Sequence, residues 1–320
     1  MPDSVPGSTG NSCYERAFEV KKTLVQVQAA VTRSVGIVIH KVVPSFRLAV
    51  ARFQYNMASK MYSHQGYKFI NCGYADMEGD HKAVDFNRPE NVYVLWESLY
   101  QRVVGQAELS GREVLEVGCG RGGGSEYLMT RLKPRSLTAV DLSDVAIARC
   151  KENYRLDGLS FQVGNACALP FEDRRFDVVV NIESSHCYPS QLTFFEEVKR
   201  VLKPGGAFCF ADITESAEHT ARINEEFKAL GFTVVHHENI TANVVKALNV
   251  VKETPQFTEA FERWESPNKK GNMKVPLMVI NGTLKDLNSG KEYQRWVVRR
   301  EEATERPVAG EQARAAAAMA

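Results

Sequence analysis

Beyond residue 110 the apolar positions alternate between short, nearly continuous runs and longer stretches at helical spacing. The short runs read as strands and the wider spacing as helices. Strands are predicted at 114–117, 136–141, 159–163, 176–182, 207–213 and 232–238, with a last one at 292–299. Helices are predicted to open at 125–131 and to cover 145–154, 192–202 and 220–230, with Ser143 or Asp144 capping the second. Val178, Val179 and Val180 in succession suit a strand buried on both faces. Lys203-Pro204-Gly205-Gly206 is expected to close the helix before the fifth strand. Repeated βα units imply an α/β fold, a parallel sheet with helices on both faces. A mostly helical insertion, 239–288, interrupts it and carries Phe257, Phe261, Trp264, Met273 and Met278.

The first third of the chain has another pattern. Residues 1–12 are rich in Pro, Ser and Gly and are expected to be disordered. Phe18, Leu24, Val25, Val31 and Val35 recur at helical spacing over 14–43, Pro44 breaks the run, and a second helix is expected over 46–62. Arg33, His40, Lys41, Arg47 and Arg52 make this extension locally basic. It reads as a helical cap on the core, or as a surface for a partner or a membrane. The aromatic, glycine-bearing stretch 62–79 breaks the periodicity before a helix at 89–104 and a turn at Gly111. The organisation expected is therefore a helical extension followed by this irregular stretch over 13–109, which reads by itself as an ordinary loop packed on the core, then a core over 110–300 and a disordered tail over 301–320.

Composition removes some functions. Forty Lys and Arg against 39 Asp and Glu leave a net charge of +1, so no bulk field draws nucleic acid. The seven cysteines show no Cys-x-x-Cys spacing, which reads as reduced thiols in an intracellular, cytoplasmic protein. No secretory signal is evident at the N-terminus, and no apolar run approaches the ~20 residues a membrane span needs.

The chemistry centres on Glu116-Val117-Gly118-Cys119-Gly120-Arg121-Gly122-Gly123. A strand turning through glycines into a helix brings backbone N–H groups against a ligand. The glycine spacing also fits a dinucleotide fingerprint, so spacing alone leaves a nicotinamide cofactor open. Glu116, directly before the loop, favours a cofactor with a cationic end over a pyrophosphate. Asp141, 25 residues after Glu116, ends the second strand, where it can accept from both ribose hydroxyls, and Leu142 can pack on an adenine face. Asn165-Ala166 follows the third strand. The fourth ends in Asn181-Ile182-Glu183-Ser184-Ser185-His186-Cys187-Tyr188. His186, with an ordinary pKa near ~6.5, is the candidate general base for an acceptor hydroxyl, and Asp212 its orienting partner. Glu183 and Asp212 could instead hold a divalent ion, but there is no compact ligand cluster, and no metal is expected.

The E-x-G-x-G-x-G run resembles motif I of the class I S-adenosylmethionine methyltransferases. Pro170-Phe171 with Phe176-Asp177 and Leu202-Lys203-Pro204-Gly205-Gly206 resemble further motifs of that family, in the same order. Asn165 stands where the family usually has an acid. The segment Asn71-x-Gly73-Tyr74, with Glu183-Ser184-Ser185-His186-Cys187-Tyr188, resembles a narrower group, the lipid and natural-product methyltransferases such as the phthiotriol dimycocerosate enzymes. By that resemblance the stretch 62–79, ahead of motif I, reads as a lid, with an ordinary loop as the alternative. The nucleic-acid N/D-P-P-Y/F motif is absent after strand four. The resemblance implies a Rossmann-like sheet, mostly parallel with an antiparallel last strand, and S-adenosylmethionine as cofactor. It implies cofactor contacts at Tyr74, Glu116, Gly118, Cys119, Gly120, Asp141, Leu142, Asn165, Ala166 and Asn181. The acceptor implied is a hydroxyl of a small or lipid-like molecule; N-, S- or C-methylation, or cofactor binding without turnover, stay open.

Overall fold

The computed structural model describes residues 49–53, 56, 68–79, 91, 93–254, 259 and 274–302. The expectations for 1–43, for most of 46–67, for 80–90, for Phe257, Phe261, Trp264 and Met273, and for the tail from 303 lie outside them. The chain divides into two compact units, 1–55 and 56–320. In the first, residues 49–53 are helical. The second includes the lid segment, so the division falls well before the boundary at 109 expected from the sequence.

That second unit is built on one seven-stranded sheet, in the order β3-β2-β1-β4-β5-β7-β6. Its strands are β1 (Glu113–Val117), β2 (Ser136–Asp141), β3 (Leu159–Val163), β4 (Phe176–Ile182), β5 (Leu202–Thr214), β6 (Phe232–Asn239) and β7 (Glu292–Arg300). β1 to β5 run parallel, and β7 lies antiparallel between β5 and β6. The chain leaves β3 on one side of β1 and re-enters at β4 on the other. That reversal opens a crevice beyond the carboxyl ends of β1 and β4, where ligands bind in open α/β sheets.

The helices are α1 (Val94–Val104), α2 (Gly123–Tyr127), α3 (Asp144–Asn153), α4 (Gln191–Val201), α5 (Ala217–Ala229), α6 (Thr241–Glu253) and α7 (Lys274–Asn288). Ser143, Ser190 and Ser216 cap α3, α4 and α5 through their side-chain oxygens. One face of the sheet is covered by α1, α6 and α7, whose apolar stripes include Leu95, Leu99, Val103, Val244, Leu248, Ile280 and Leu284. The other carries an aromatic core of Phe194, Phe195, Phe208, Phe210, Phe227 and Trp296. Its rings meet edge-on, tilted or stacked, as at Phe195 and Phe227, tilted at 4.6 Å, and at Phe210 and Trp296, stacked at 5.2 Å.

Two expectations needed correction. The helix after the glycines runs as α2 for five residues and then as a π-helical turn, Leu128–Leu132. The Lys-Pro-Gly-Gly segment is not a turn outside the sheet. β5 starts at Leu202, and the segment is absorbed as an irregularity in its pairing with β4, between Phe176 and Val178. Lys203 spans the two neighbouring strands there, 3.0 Å from Glu113 and 2.9 Å from Asp177.

Candidate functional site

β1 feeds directly into the glycine turn. The amides of Gly118 and Cys119 donate to the Val140 carbonyl, at 2.8 and 3.0 Å, which ties the turn to β2. The Gly120 amide donates to Asp141 Oδ2 at 3.0 Å, and the Ser143 amide to Oδ1 at 2.8 Å. Asp141 is thus fixed by backbone donors on both oxygens and is half-buried, and each carboxylate oxygen can accept more than one bond. Burial raises its pKa and these backbone bonds oppose the rise. At Gly120, in the left-handed region at φ +53°, a Cβ would meet only Ile70 Cδ1, 3.5 Å away. That open face, beside Asp141, suits a cofactor lying along the turn with its ribose at β2. Leu142 is half-buried next to Asp141. Asn165 and Ala166 stand beyond β3, the neighbour of β2, and Asn165 Oδ1 accepts from the Cys167 amide at 3.0 Å. Cys119 is buried within the turn.

Glu116 is placed differently from the expectation. It lies beneath the turn, 2 % exposed, with one oxygen accepting from the Tyr100 hydroxyl at 2.8 Å and the other from Ser125. Burial raises its pKa, and the two hydroxyls oppose the rise. Both oxygens are therefore engaged by α1 and α2, so Glu116 supports the turn from below. Gly124 belongs to this arrangement, because a Cβ there would fall 1.9 Å from the Tyr100 hydroxyl. Sequence reading passed over Tyr100, since an aromatic on an apolar helix face reads as core.

Asn181 joins β4 to the turn. Its Nδ2 lies 2.8 Å from the Val117 carbonyl, 2.7 Å from Ser184 Oγ and 3.0 Å from the Tyr188 hydroxyl. Gly118 packs on this group, where a Cβ would come within 2.2 Å of Ser184 Oγ. Asn181 is fully buried, so its part is to hold the 183–188 loop against the first glycine.

The expected pair beyond β4 and β5 is brought together. His186 Nδ1 lies 2.6 Å from Asp212 Oδ1, and the His186 amide donates to Oδ2 at 3.0 Å. Ser185 Oγ donates to Oδ2 at 2.6 Å and the Ile213 amide to Oδ1 at 2.8 Å. Asp212 is 1 % exposed while the His186 side chain is 44 % exposed. The buried carboxylate fixes the ring through Nδ1 and leaves Nε2 as the outer nitrogen. Burial alone would lower the His186 pKa, but the Asp212 bond, with Cys187 beside the ring, outweighs it and raises the value to about 11. The bond to Asp212 thus favours the imidazolium and works against the neutral ring that proton abstraction needs.

Residues 68–79 cross the crevice as an irregular strap. The Lys68 carbonyl accepts from the Gly123 amide at 3.1 Å, and Lys68 Nζ pairs with Glu126 at 3.1 Å. Cys72 donates to Glu183 through its amide at 2.8 Å and its thiol at 2.9 Å, and Tyr293 donates its hydroxyl to the same carboxylate at 3.0 Å. Tyr74, expected at the cofactor, turns the other way. Its amide bonds the Leu95 carbonyl on α1 at 2.8 Å, and Arg102 sits 5.7 Å from its ring. Asn56, which no motif marked, bonds both Ser143 and Asp144 at the start of α3, at 2.7 and 2.6 Å. Among the described residues no group of three or more His, Cys, Asp or Glu could hold a metal. Glu183 and Asp212 each serve their own set of protein donors.

Comparison with known proteins bears on the family and the fold. A family model described as a methyltransferase domain matches residues 115–210. The chain is 44% identical over 201 residues to a probable phthiotriol/phenolphthiotriol dimycocerosates methyltransferase 2 of Mycobacterium ulcerans, covering 61% of this chain and 74% of that protein. It is 38% identical over 158 residues to a fatty-acid O-methyltransferase of Mycolicibacterium smegmatis, covering 49% of this chain and 57% of that one. Among solved structures, geranyl diphosphate C-methyltransferase from Streptomyces coelicolor, in complex with S-adenosyl-L-homocysteine, has the same fold. The TM-score is 0.56 at 16% identity, over 81% of this chain and 98% of that one.

Proposed function

This chain belongs to the class I S-adenosylmethionine-dependent methyltransferases, and from that premise we propose that it methylates an oxygen of a lipid-like acceptor, first of all a hydroxyl. The observation that carries the reading is the His186–Asp212 pair, His186 just after β4 and Asp212 near the end of β5, with Nε2 left outside the bond to Asp212. The names of the two relatives support a lipid-like acceptor.

The cofactor supplies a methyl group already activated on a sulfonium, so the protein's work is to bind, orient and manage one proton. Asp141 would accept from the ribose hydroxyls, Leu142 would lie on the adenine, and Asn165-Ala166 would border it. The turn from Gly118 to Gly122 would bear the chain that carries the sulfonium, held up from below by Glu116. His186 meets the acceptor oxygen at Nε2. For a hydroxyl, the ring must first be neutral to take the proton, and Asp212 then stabilises the imidazolium that forms.

A second reading follows from the proton His186 holds. A standing imidazolium pairs with a carboxylate, which needs no base, and methylation would then give an ester. One experiment separates the two. Labelled methyl transfer is followed across pH on a fatty alcohol and on a fatty acid of the same chain length. Alcohol methylation that rises toward about pH 11 supports the hydroxyl. Turnover of the fatty acid alone, level through neutral pH, selects the ester, and label in neither product defeats both. Among the described residues no helix is long and apolar enough to cross a membrane. Contact of the N-terminal helices with a membrane surface remains part of the proposal and concerns residues outside those described.

A further inference from the structure

The strap of residues 68–79 is fastened at several places, and one fastening differs from the rest. Near its end the bonds are relaxed: Asn243 holds the Ala75 carbonyl at 2.9 Å, and Lys246 Nζ reaches the carbonyls of Asp76, Met77 and Gly79 at 2.6, 2.9 and 3.0 Å. In the middle the fastening is Glu183, whose backbone lies in the left-handed region at φ +54°. A non-glycine residue enters that region at a cost and stays only where its surroundings enforce it. The carboxylate gathers three neutral donors, two from Cys72 and one from Tyr293. A buried carboxylate hydrogen-bonded by neutral donors carries a desolvation cost that an amide would not; burial accordingly raises its pKa, with Asp212 adding to the rise and His186 opposing it. A residue serving only to end β4 would more simply be glycine or asparagine. Backbone strain and a costly charge therefore meet at the one side chain that joins the strap to the end of β4.

The position gives this a use. Between Lys68 and Cys72 the strap passes over the glycine turn, and Ile70 reaches toward Gly120 while remaining 67% exposed. Glu183 lies between Asn181, which braces that turn, and the His186–Asp212 pair. We propose that Glu183 is a positioning residue that latches the strap over the crevice through Cys72 and Tyr293, so that releasing it admits the acceptor. What is admitted rests on the methyl-transfer reading; the motion does not.

Hydrogen–deuterium exchange on the full chain tests the latch without any acceptor. Glu183→Ala and Tyr293→Phe are each expected to speed exchange of the Cys72 to Ala75 amides about tenfold or more, with β4 and β5 unchanged. Glu183→Gln, which keeps an acceptor oxygen, should restore part of the protection. S-adenosylhomocysteine affinity should stay within about threefold, since the turn and Asp141 are untouched. With the fatty acid or alcohol that is turned over, the acceptor KM should rise about tenfold and kcat change less. Unchanged strap protection in both variants overturns the proposal. So does a loss of protection that spreads into β4 and β5, because Glu183 would then hold the fold and not the strap. If Glu183→Ala does not fold, Tyr293→Phe still decides. If neither acceptor is methylated, the functional reading fails while the exchange result stands.

Discussion

At His186 the bond to Asp212 decides the direction of every pH effect. The folded pKa, about 11, lies above the ordinary 6.5. The pair's contribution to stability is therefore fully present below pH 6.5 and is lost as pH rises through about 11. His186→Ala, compared at alkaline pH approaching about 11 where the ring becomes neutral, is expected to lower kcat on a hydroxyl acceptor by roughly 10²–10⁴-fold while cofactor affinity stays within about threefold, read by steady-state kinetics and calorimetry. Unchanged turnover would remove His186 from the chemistry. If Asp141 accepts from the ribose hydroxyls as proposed, Asp141→Ala should cost about 1.5–3 kcal/mol of S-adenosylhomocysteine affinity by calorimetry. Asp141 was legible as a position because it ends β2, and His186 because it lies in the loop that follows β4. Tyr74 and Glu116 were legible as residue types but not as directions. Whether a side chain points into the crevice or under it depends on α1, and nothing in the motif encodes α1.

Among the elements, β2, β3 and β4 fall where the apolar positions put them: β4 is buried on both faces and needs no alternation to be recognised, while β3 alternates buried Phe161 with exposed Ser160 and Gln162. β5 was legible only in its second part. Pro204 and the two glycines read as a turn, whereas the register irregularity against β4 keeps them in the sheet. The contact between α1 and α2 could not be read at all, since it depends on Tyr100 passing where Gly124 has no side chain. It can be tested by Gly124→Ala, which should destabilise the fold by about 1–3 kcal/mol in urea unfolding. Adding Tyr100→Phe removes the clashing atom and should return part of that loss. If Gly124→Ala unfolds at the parent urea midpoint, the close approach is not real.

Across the whole molecule, the far edge of the sheet is tied to α1 by charge. Arg295, 1 % exposed, donates to Glu238 at 2.7 Å and to the Arg102 carbonyl at 2.8 Å, and Arg102 pairs with the same Glu238. Burial would raise the Glu238 pKa, but the two arginines outweigh it and hold the value at about 2. The stability this adds is present above the ordinary value of 4.5 and is lost as pH falls toward about 2. Urea midpoints measured down through that range should fall, and Glu238→Gln should flatten the fall. An acid limb identical in the variant would show that other carboxylates set it.

The order β5-β7-β6 also bears on how the chain is made. β6 leaves the ribosome before α6, α7 and β7, yet among the described strands β7 is its sheet partner. Until residue 300 has emerged, a nascent chain carries β6 with its backbone donors and acceptors unmatched and the edge of β5 uncovered. Such edges invite pairing with other chains. Arg300, at the end of β7, reaches back to the Lys199 carbonyl at 2.6 Å and to that of Leu202, so the last strand also closes the junction where α4 becomes β5. Completion of the sheet thus waits for β7, and until that strand pairs, the edges of β5 and β6 stay open to other strands.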